Sequence, residues 1–230
     1  MLCKWEELPG FMRISEVKEY YQRLSKKRFC LLVKRTFDFV ISTMMLVFFT
    51  PIFLCLAVWI KLDSPGGVFY RQERVTQYGR IFRIYKFRTM VQNADKLGSL
   101  VTVNEDSRIT KVGKYLRKYR LDEIPQLLNI WKGEMSFVGT RPEVVKYVKR
   151  YTKEMYATLL LPAGVTSEAS IRFKDEDKIL DGVKDEEVEQ LYIKEILPQK
   201  MFWNLNGILK FSLLSDLKCL FLTVITVLKT

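Results

Sequence analysis

The alternation of apolar and polar positions breaks down between Phe39 and Ile60, where an uncharged, mostly apolar run replaces the mixed sequence on either side. A straight helix over this run reaches roughly 33 Å, enough to cross the hydrocarbon core of a bilayer. Pro51, near its middle, removes a backbone donor and kinks a helix. Thr50 beside it carries a hydroxyl that can satisfy backbone groups freed by the proline. Both flanks are basic: Lys26, Lys27, Arg28, Lys34 and Arg35 precede the run, and Lys61, Arg71, Arg74 and Arg80 follow it. Positive charge on both sides gives no orientation. Three readings stand on these residues: a membrane span, a re-entrant segment that bends at Thr50-Pro51 with both ends in the cytoplasm, and a buried core helix. A cleaved signal peptide is excluded, because the run starts too far in, is too long and lacks a small-residue cleavage site.

Upstream, Ile14, Val17, Tyr21 and Leu24 recur at helical spacing among Lys18, Arg23, Lys26 and Lys27. The pattern fits an interfacial amphipathic helix, and equally a surface helix packed on a core. Ile208 to Leu228 is again apolar but holds Lys210, Asp216 and Lys218, which disfavour a span. It reads as an amphipathic helix on the membrane or on the body, with Phe202 and Trp203 suited to the interface. Between these ends, Ser64-Pro65-Gly66-Gly67 is a turn. Val68–Arg71 and Arg80–Phe87 read as short strands around a turn at Gln77-Tyr78-Gly79. Helices are expected over Lys111–Arg120, Glu123–Trp131, Pro142–Met155 and Asp185–Ile196. Thr140-Arg141-Pro142-Glu143 has the form of a capping box, which puts Arg141 at a helix start where it could meet a phosphate or simply be solvated. Too few strands and no G-x-G-x-x-G exclude a doubly wound sheet. The fold class is therefore a small, mainly helical α/β domain. Its segments are 1–33 (amphipathic), 34–64 (membrane helix), 65–198 (catalytic domain) and 199–230 (C-terminal amphipathic helix).

Charge narrows the partners. The net charge of +12 and a pI near 9.5 ask for an anionic one, such as phospholipid or nucleotide. Nucleic acid is not expected, since the basic residues flank a lipid-like segment and form no recognised motif. No histidine occurs in the 230 residues, which removes Ser-His-Asp and Cys-His catalysis and histidine-ligated zinc. Cys3, Cys30, Cys55 and Cys219 are scattered, with no C-x-x-C pair, and fit a reducing compartment. Acid–base or nucleophilic work must fall to Asp, Glu, Lys, Tyr or Cys.

The run Arg120-Leu121-Asp122-Glu123-Ile124-Pro125-Gln126 places two adjacent carboxylates at a predicted helix start among arginines. One reading is a helix cap, because Asp is a common N-cap and Pro is tolerated in the first turn. The other is a nucleophile or metal ligand for chemistry on a phosphorylated substrate.

Several stretches in order resemble the bacterial sugar transferase family, the small monotopic phosphoglycosyl transferases. They are Lys34-Arg35-Thr36-Phe37-Asp38, Ser64-Pro65-Gly66-Gly67-Val68-Phe69, Tyr85-Lys86-Phe87-Arg88-Thr89-Met90, Asp106-Ser107-Arg108-Ile109-Thr110-Lys111-Val112-Gly113, Leu116-Arg117, Leu121-Asp122-Glu123-Ile124-Pro125-Gln126 and Phe137-Val138-Gly139-Thr140-Arg141-Pro142. They cover about residues 32–175. The resemblance implies a re-entrant helix bent at Thr50-Pro51 in the bacterial inner membrane, with the catalytic domain on the cytoplasmic face. It implies transfer of a phosphosugar from a UDP-sugar to polyprenyl (undecaprenyl) phosphate, with release of UMP, as the first membrane step of glycoconjugate synthesis. Asp122 matches the family nucleophile, Glu123 its partner and metal ligand, and Mg²⁺ the cofactor. Arg88, Arg117 and Arg141 match recurrent arginines near the phosphates, and Lys86 and Pro142 in the same runs join them as candidate substrate contacts. Thr140 stands where the family commonly has proline, a change expected to touch capping and not chemistry. Membrane lipids are expected partners, with a homodimer as a further option. No multi-span segment precedes the membrane run, so the small branch is expected.

Two other readings compete. Asp175-Glu176-Asp177 is formally a D-x-D, which metal-dependent glycosyltransferases of another class use, although it sits in a charged run with no nucleotide-binding sheet before it. A non-enzymatic scaffold on anionic lipid is the second.

Overall fold

The computed structural model describes residues 2–94, 106–174 and 185–228. Its dominant element is α2 (Arg28–Asp63), which follows α1 (Ser15–Ser25) and stays helical through Pro51. The Thr50 hydroxyl donates to the Leu46 carbonyl at 2.7 Å, the back-bonding that locally bends helices. Among the described residues α2 alone is long and apolar enough to cross a membrane. Its face is nevertheless divided. Leu31, Lys34, Asp38, Ser42, Leu56 and Ile60 are buried at helical spacing, with Met45, Leu46, Phe49 and Phe53 half-buried between them. Phe29, Met44, Val47, Phe48, Leu54, Val58 and Leu62 stay exposed on the other side. A 36-residue helix thus has one apolar stripe against protein and a second, larger apolar face with no protein cover.

Both ends of α2 are tied to one body. Lys34 donates to the Val138 carbonyl at 2.9 Å and pairs with Asp216 at 2.5 Å. Arg35 donates to the carbonyls of Ile130 and Trp131, and Asp38 accepts from the Phe137 amide. At the far end Asp63 accepts from the Val112 amide.

That body begins with a hairpin, β1 (Phe69–Val75) antiparallel to β2 (Ile81–Phe87), in register from Phe69 opposite Phe87 to Val75 opposite Ile81. α3 (Lys111–Lys118), a 3₁₀ turn (Leu121–Gln126) and α4 (Leu127–Lys132) follow. Asn129 of α4 closes the free edge of β2, accepting from the Tyr85 amide at 2.9 Å and donating to the Arg83 carbonyl at 3.0 Å. Phe82, Ile84, Leu127, Ile130 and Met135 then pack under the α2 midsection. A parallel pair comes next, β3 (Met135–Val138) beside β4 (Ala163–Thr166). Between these strands lie α5 (Val145–Val148) and a 3₁₀ stretch, Glu154–Leu160. The chain ends in α6 (Glu168–Arg172), α7 (Asp185–Leu191), a π-turn (Tyr192–Ile196), α8 (Leu197–Leu209) and α9 (Leu213–Leu228).

The mainly helical α/β class and both hairpin strands match the sequence reading. Of the two readings open for α1, the structure shows the second: Val17, Tyr20, Tyr21 and Leu24 pack on the protein core with Leu159, Leu160 and Leu205. Two helices differ from the sequence reading. The helix expected from Pro142 is reduced to the single turn of α5, because residues 141–144 run extended and no side chain caps the turn. The helix expected from Glu123 opens as the 3₁₀ turn and becomes regular only at Leu127. The backbone is helical from Asp185 through Leu209. The D-x-D at Asp175-Glu176-Asp177 lies outside the described residues, as does most of the charge run that contains it.

β3 and β4 approach so closely that side chains are excluded where they leave the sheet. A Cβ on Gly164 meets the Gly139 amide nitrogen at 2.1 Å, backbone that cannot move aside. Gly207, inside α8, has nothing within 4 Å of its Cβ position. Gly164→Ala is expected to cost about 1–3 kcal/mol through overpacking, whereas Gly207→Ala gains about 0.5–1 kcal/mol of helix propensity. Thermal unfolding in detergent should place the two variants on opposite sides of the wild type.

Candidate active site

The site is built where three elements meet: the end of β2, the turn after α3 and the extended stretch after β3. Arg120 adopts the left-handed region at φ 55, ψ 22, which ends α3 and swings the chain into the 3₁₀ turn. A non-glycine residue there carries local strain, of a kind found at functional sites. Asp122 and Glu123 follow in the first turn.

The two carboxylates have different surroundings. Glu123 is clamped by two cations: Lys86 reaches its Oε1 at 2.9 Å, and Arg141 donates from both terminal nitrogens to its two oxygens. Burial alone favours the neutral acid, but Arg141 and Lys86 outweigh it and hold Glu123 well below the usual carboxylate range. Reciprocally, Glu123 raises the pKa of Arg141. Asp122 is only 8% exposed, yet it has no hydrogen bond or ion pair among the described residues. Burial pushes its pKa up. Lys86 opposes that shift, the charge of Glu123 adds to it, and Arg117 and Arg120 oppose it more weakly. Adjacent acids are thereby driven apart, one held charged and paired, the other without a partner among the described residues. Unlike environments for two neighbouring acids are a recurring mark of assigned chemical roles.

The remaining candidates separate into two groups. Arg141 and Lys86 are brought to the acid pair, and Arg141 retains about a third of its side chain exposed, at 35%. Arg141 does not begin a helix, so its position owes nothing to a helix dipole. Arg117 donates to the Thr89 hydroxyl at 3.0 Å and acts on Asp122 through space. Arg88 is placed differently. It is 7% exposed and donates to the carbonyls of Ile60, Ser64 and Pro65, at and just beyond the C-terminal end of α2. Its guanidinium ties the end of α2 to β2 and lies apart from the acid pair. Pro142 contributes its carbonyl, which accepts from Arg74 at 3.1 Å.

Sequence reasoning missed the support behind Arg141. Glu143, read as half of a capping box, is buried and accepts from the Tyr192 hydroxyl at 2.6 Å. Lys200 donates to the same hydroxyl at 3.2 Å and lies 3.8 Å from Glu143. The Val75 amide also donates to the Glu143 carbonyl at 2.9 Å. These bonds pin an otherwise extended segment so that Arg141 can face Glu123. Only Asn129, a lone amide within Leu127-Leu128-Asn129-Ile130-Trp131, left a visible signal in sequence.

The site is thus a carboxylate pair ringed by lysine and arginine, in a chain with one helix long and apolar enough to cross a membrane. The chain belongs to the bacterial sugar transferase family, whose sequence model matches residues 29–230. It is 41% identical over 143 residues to the UDP-N-acetylgalactosamine-undecaprenyl-phosphate N-acetylgalactosaminephosphotransferase of Aeromonas hydrophila, covering 60% of this chain and 34% of that one. It is 35% identical over 198 residues to the UDP-glucose:undecaprenyl-phosphate glucose-1-phosphate transferase of Escherichia coli K12, covering 84% and 39%. It is 38% identical over 156 residues to the undecaprenyl-phosphate galactose phosphotransferase of Salmonella typhimurium, covering 61% and 32%. The chain thus spans about a third of the length of these relatives.

The unlike carboxylates predict a pH profile. The folded pKa of Asp122 is raised, so any activity that needs this carboxylate ionised is lost as pH falls through a value above that of an ordinary Asp. Glu123 has a depressed pKa. Its contribution to stability is present above the unfolded value and is lost only as pH falls through the lower folded one, so the clamp survives across that acid limb. Glu123→Gln removes the like charge beside Asp122 and frees two cations. The acid limb of kcat/KM should move to lower pH while turnover falls on the order of 100-fold.

Proposed function

We propose that the chain is a phosphoglycosyl transferase that moves a phosphosugar from a UDP-sugar to a polyprenyl phosphate through an aspartyl intermediate. The observation that carries this reading is the unpaired, nearly buried Asp122 beside a Glu123 neutralised by Lys86 and Arg141. In the first half-reaction an Asp122 oxygen attacks the sugar-bearing phosphorus of the UDP-sugar. The bond from that phosphorus to the bridging oxygen breaks, and UMP leaves with the electron pair. In the second, an oxygen of the lipid phosphate attacks the same phosphorus, Asp122 departs as a carboxylate, and the polyprenyl-diphosphate-linked sugar is formed. No imidazole is needed, because both nucleophiles are already anions. Attack of an anion on a diphosphate must overcome charge repulsion, which Lys86, Arg117, Arg120 and Arg141 are placed to offset.

Asp122 and Glu123 supply hard oxygen donors of the kind Mg²⁺ takes. No cluster of three or more metal-ligating side chains occurs among the described residues. Mg²⁺ is commonly held by one or two carboxylates plus water and substrate phosphates, and this donor set fits that pattern. When bound, the ion supplies neutralisation of diphosphate charge. Glu123 remains tied to its two cations, which leaves Asp122 as the donor with no partner among the described residues.

A re-entrant path for α2 is supported by the contacts at its ends. A single crossing separates Lys34 from Asp63 by the bilayer, yet both bind the same charged body, and burying that body in hydrocarbon is prohibitively costly. The exposed apolar faces of α2 and of α9, with Leu214, Leu217, Phe221 and Val224 outward, fit a domain seated on one leaflet. The bacterial inner membrane, cytoplasmic side, follows for an enzyme that draws on a nucleotide sugar.

Turnover of a UDP-sugar with polyprenyl phosphate should release UMP and not UDP. Asp122→Asn should lower this by at least about 10⁴-fold, a loss expected when a nucleophile is removed, with thermal unfolding nearly unchanged. Release of UDP, or retained activity in the variant, contradicts the mechanism. Excess EDTA should stop turnover and Mg²⁺ restore it; full activity in chelator removes the metal. Cysteines placed singly near Lys34 and Ser64 should react with an impermeant reagent from the same face of sealed vesicles, whereas labelling from opposite faces establishes a span.

A further inference from the structure

The helix that leads into the acid pair has an outer face that the catalytic reading does not use. On α3, Lys111, Lys114, Tyr115, Lys118 and Tyr119 are all exposed, at the i, i+3, i+4, i+7, i+8 spacing of one stripe, while Val112, Gly113 and Leu116 are buried behind them. From Ser107 to Leu121 the chain holds Arg108, Lys111, Lys114, Arg117, Lys118 and Arg120 and not one acid. Arg108 is neutralised by Asp106 at 2.6 Å. Lys111 and Lys114 have no ion pair among the described residues, and Lys118 lies over the Tyr119 ring, 5.5 Å from its centroid.

The stripe also has a neighbour. Tyr115, 58% exposed, lies beside Trp59 of α2 with ring centroids 6.1 Å apart. Trp59 belongs to the uncovered face of α2, with Val58 and Leu62 on the same side, Leu62 being 81% exposed. An apolar surface thus passes through Trp59 and Tyr115 into a row of lysines within one turn of helix. Apolar residues, then an aromatic belt, then lysines whose stems can snorkel is the order found across the depth of a membrane interface. The α1 helix, whose sequence suggested such a role, has buried its apolar face in the protein.

We propose that the exposed face of α3 docks on the anionic phospholipid headgroups of the leaflet that holds α2. The stripe reads no particular lipid. It answers to the negative surface of the bilayer, which is worth about fivefold in partition per lysine near the surface. Because α3 runs directly into Arg120 and Asp122, this contact would set the height of the nucleophile against the headgroup plane. The inference rests on the membrane-seated reading of α2.

A depth measurement tests it without relying on catalysis. The full chain, with Cys3, Cys30, Cys55 and Cys219 replaced by serine and Tyr119→Cys labelled with bimane, is placed in nanodiscs of brominated phosphatidylcholine alone or with roughly 30% phosphatidylglycerol. That proportion gives the negative surface the stripe should answer to. Quenching should be at least about twice as strong in the anionic discs. The triple variant Lys111→Gln, Lys114→Gln, Lys118→Gln, or high salt, should abolish the difference. Equal quenching in the two discs overturns the inference, as does an increase that appears only when polyprenyl phosphate is added, which would assign the strip to the acceptor lipid. Should the chain enter neither disc, the membrane reading of α2 fails and this inference with it.

Discussion

Everything at the site depends on the double ion pair of Glu123 with Lys86 and Arg141. Two carboxylates on consecutive residues, both shielded from water, repel each other and favour protonation of one. Pairing Glu123 with two cations fixes which acid keeps its charge and leaves the other uncommitted. The pair also joins three parts of the chain. Lys86 arrives from β2, Glu123 from the turn after α3, and Arg141 from the extended segment after β3. Truncating Glu123 therefore leaves two partly buried cations without this partner, which is generally costlier than the pair is worth.

The same body is coupled to the membrane helix by backbone-directed polar contacts. Arg88 bonds the C-terminal end of α2, Asp63 accepts from α3, and Lys34, Arg35 and Asp38 bind the end of β3 and the end of α4. These contacts hold α2 and the body that carries Asp122 and Glu123 in one arrangement.

The parts of the fold with a strong local signal were legible from sequence. The apolar run marked α2, the Gln77-Tyr78-Gly79 turn marked the hairpin, and Asp122-Glu123 marked the centre of the site. The failures share a cause, which is tertiary contact overriding local pattern. Thr140 to Glu143 spells a capping box, but Glu143 is drawn to Tyr192 and Lys200, residues about fifty positions away, and the segment stays extended. The bonds of Arg88 to the carbonyls of Ile60, Ser64 and Pro65 were likewise invisible, because they join residues more than twenty positions apart. The β3–β4 pair was invisible because each strand is four residues long and their pairing depends on glycines at 139 and 164.

The central claim is that Asp122 stays unpaired so that it can take a phosphosugar. The most direct measurement is the intact mass of the purified chain after exposure to a UDP-sugar with no lipid acceptor present. The account predicts a gain equal to one sugar phosphate, located by peptide mapping to Asp122, matched by one equivalent of UMP and removed when polyprenyl phosphate is added. An unmodified chain that still turns over when both substrates are present would contradict it.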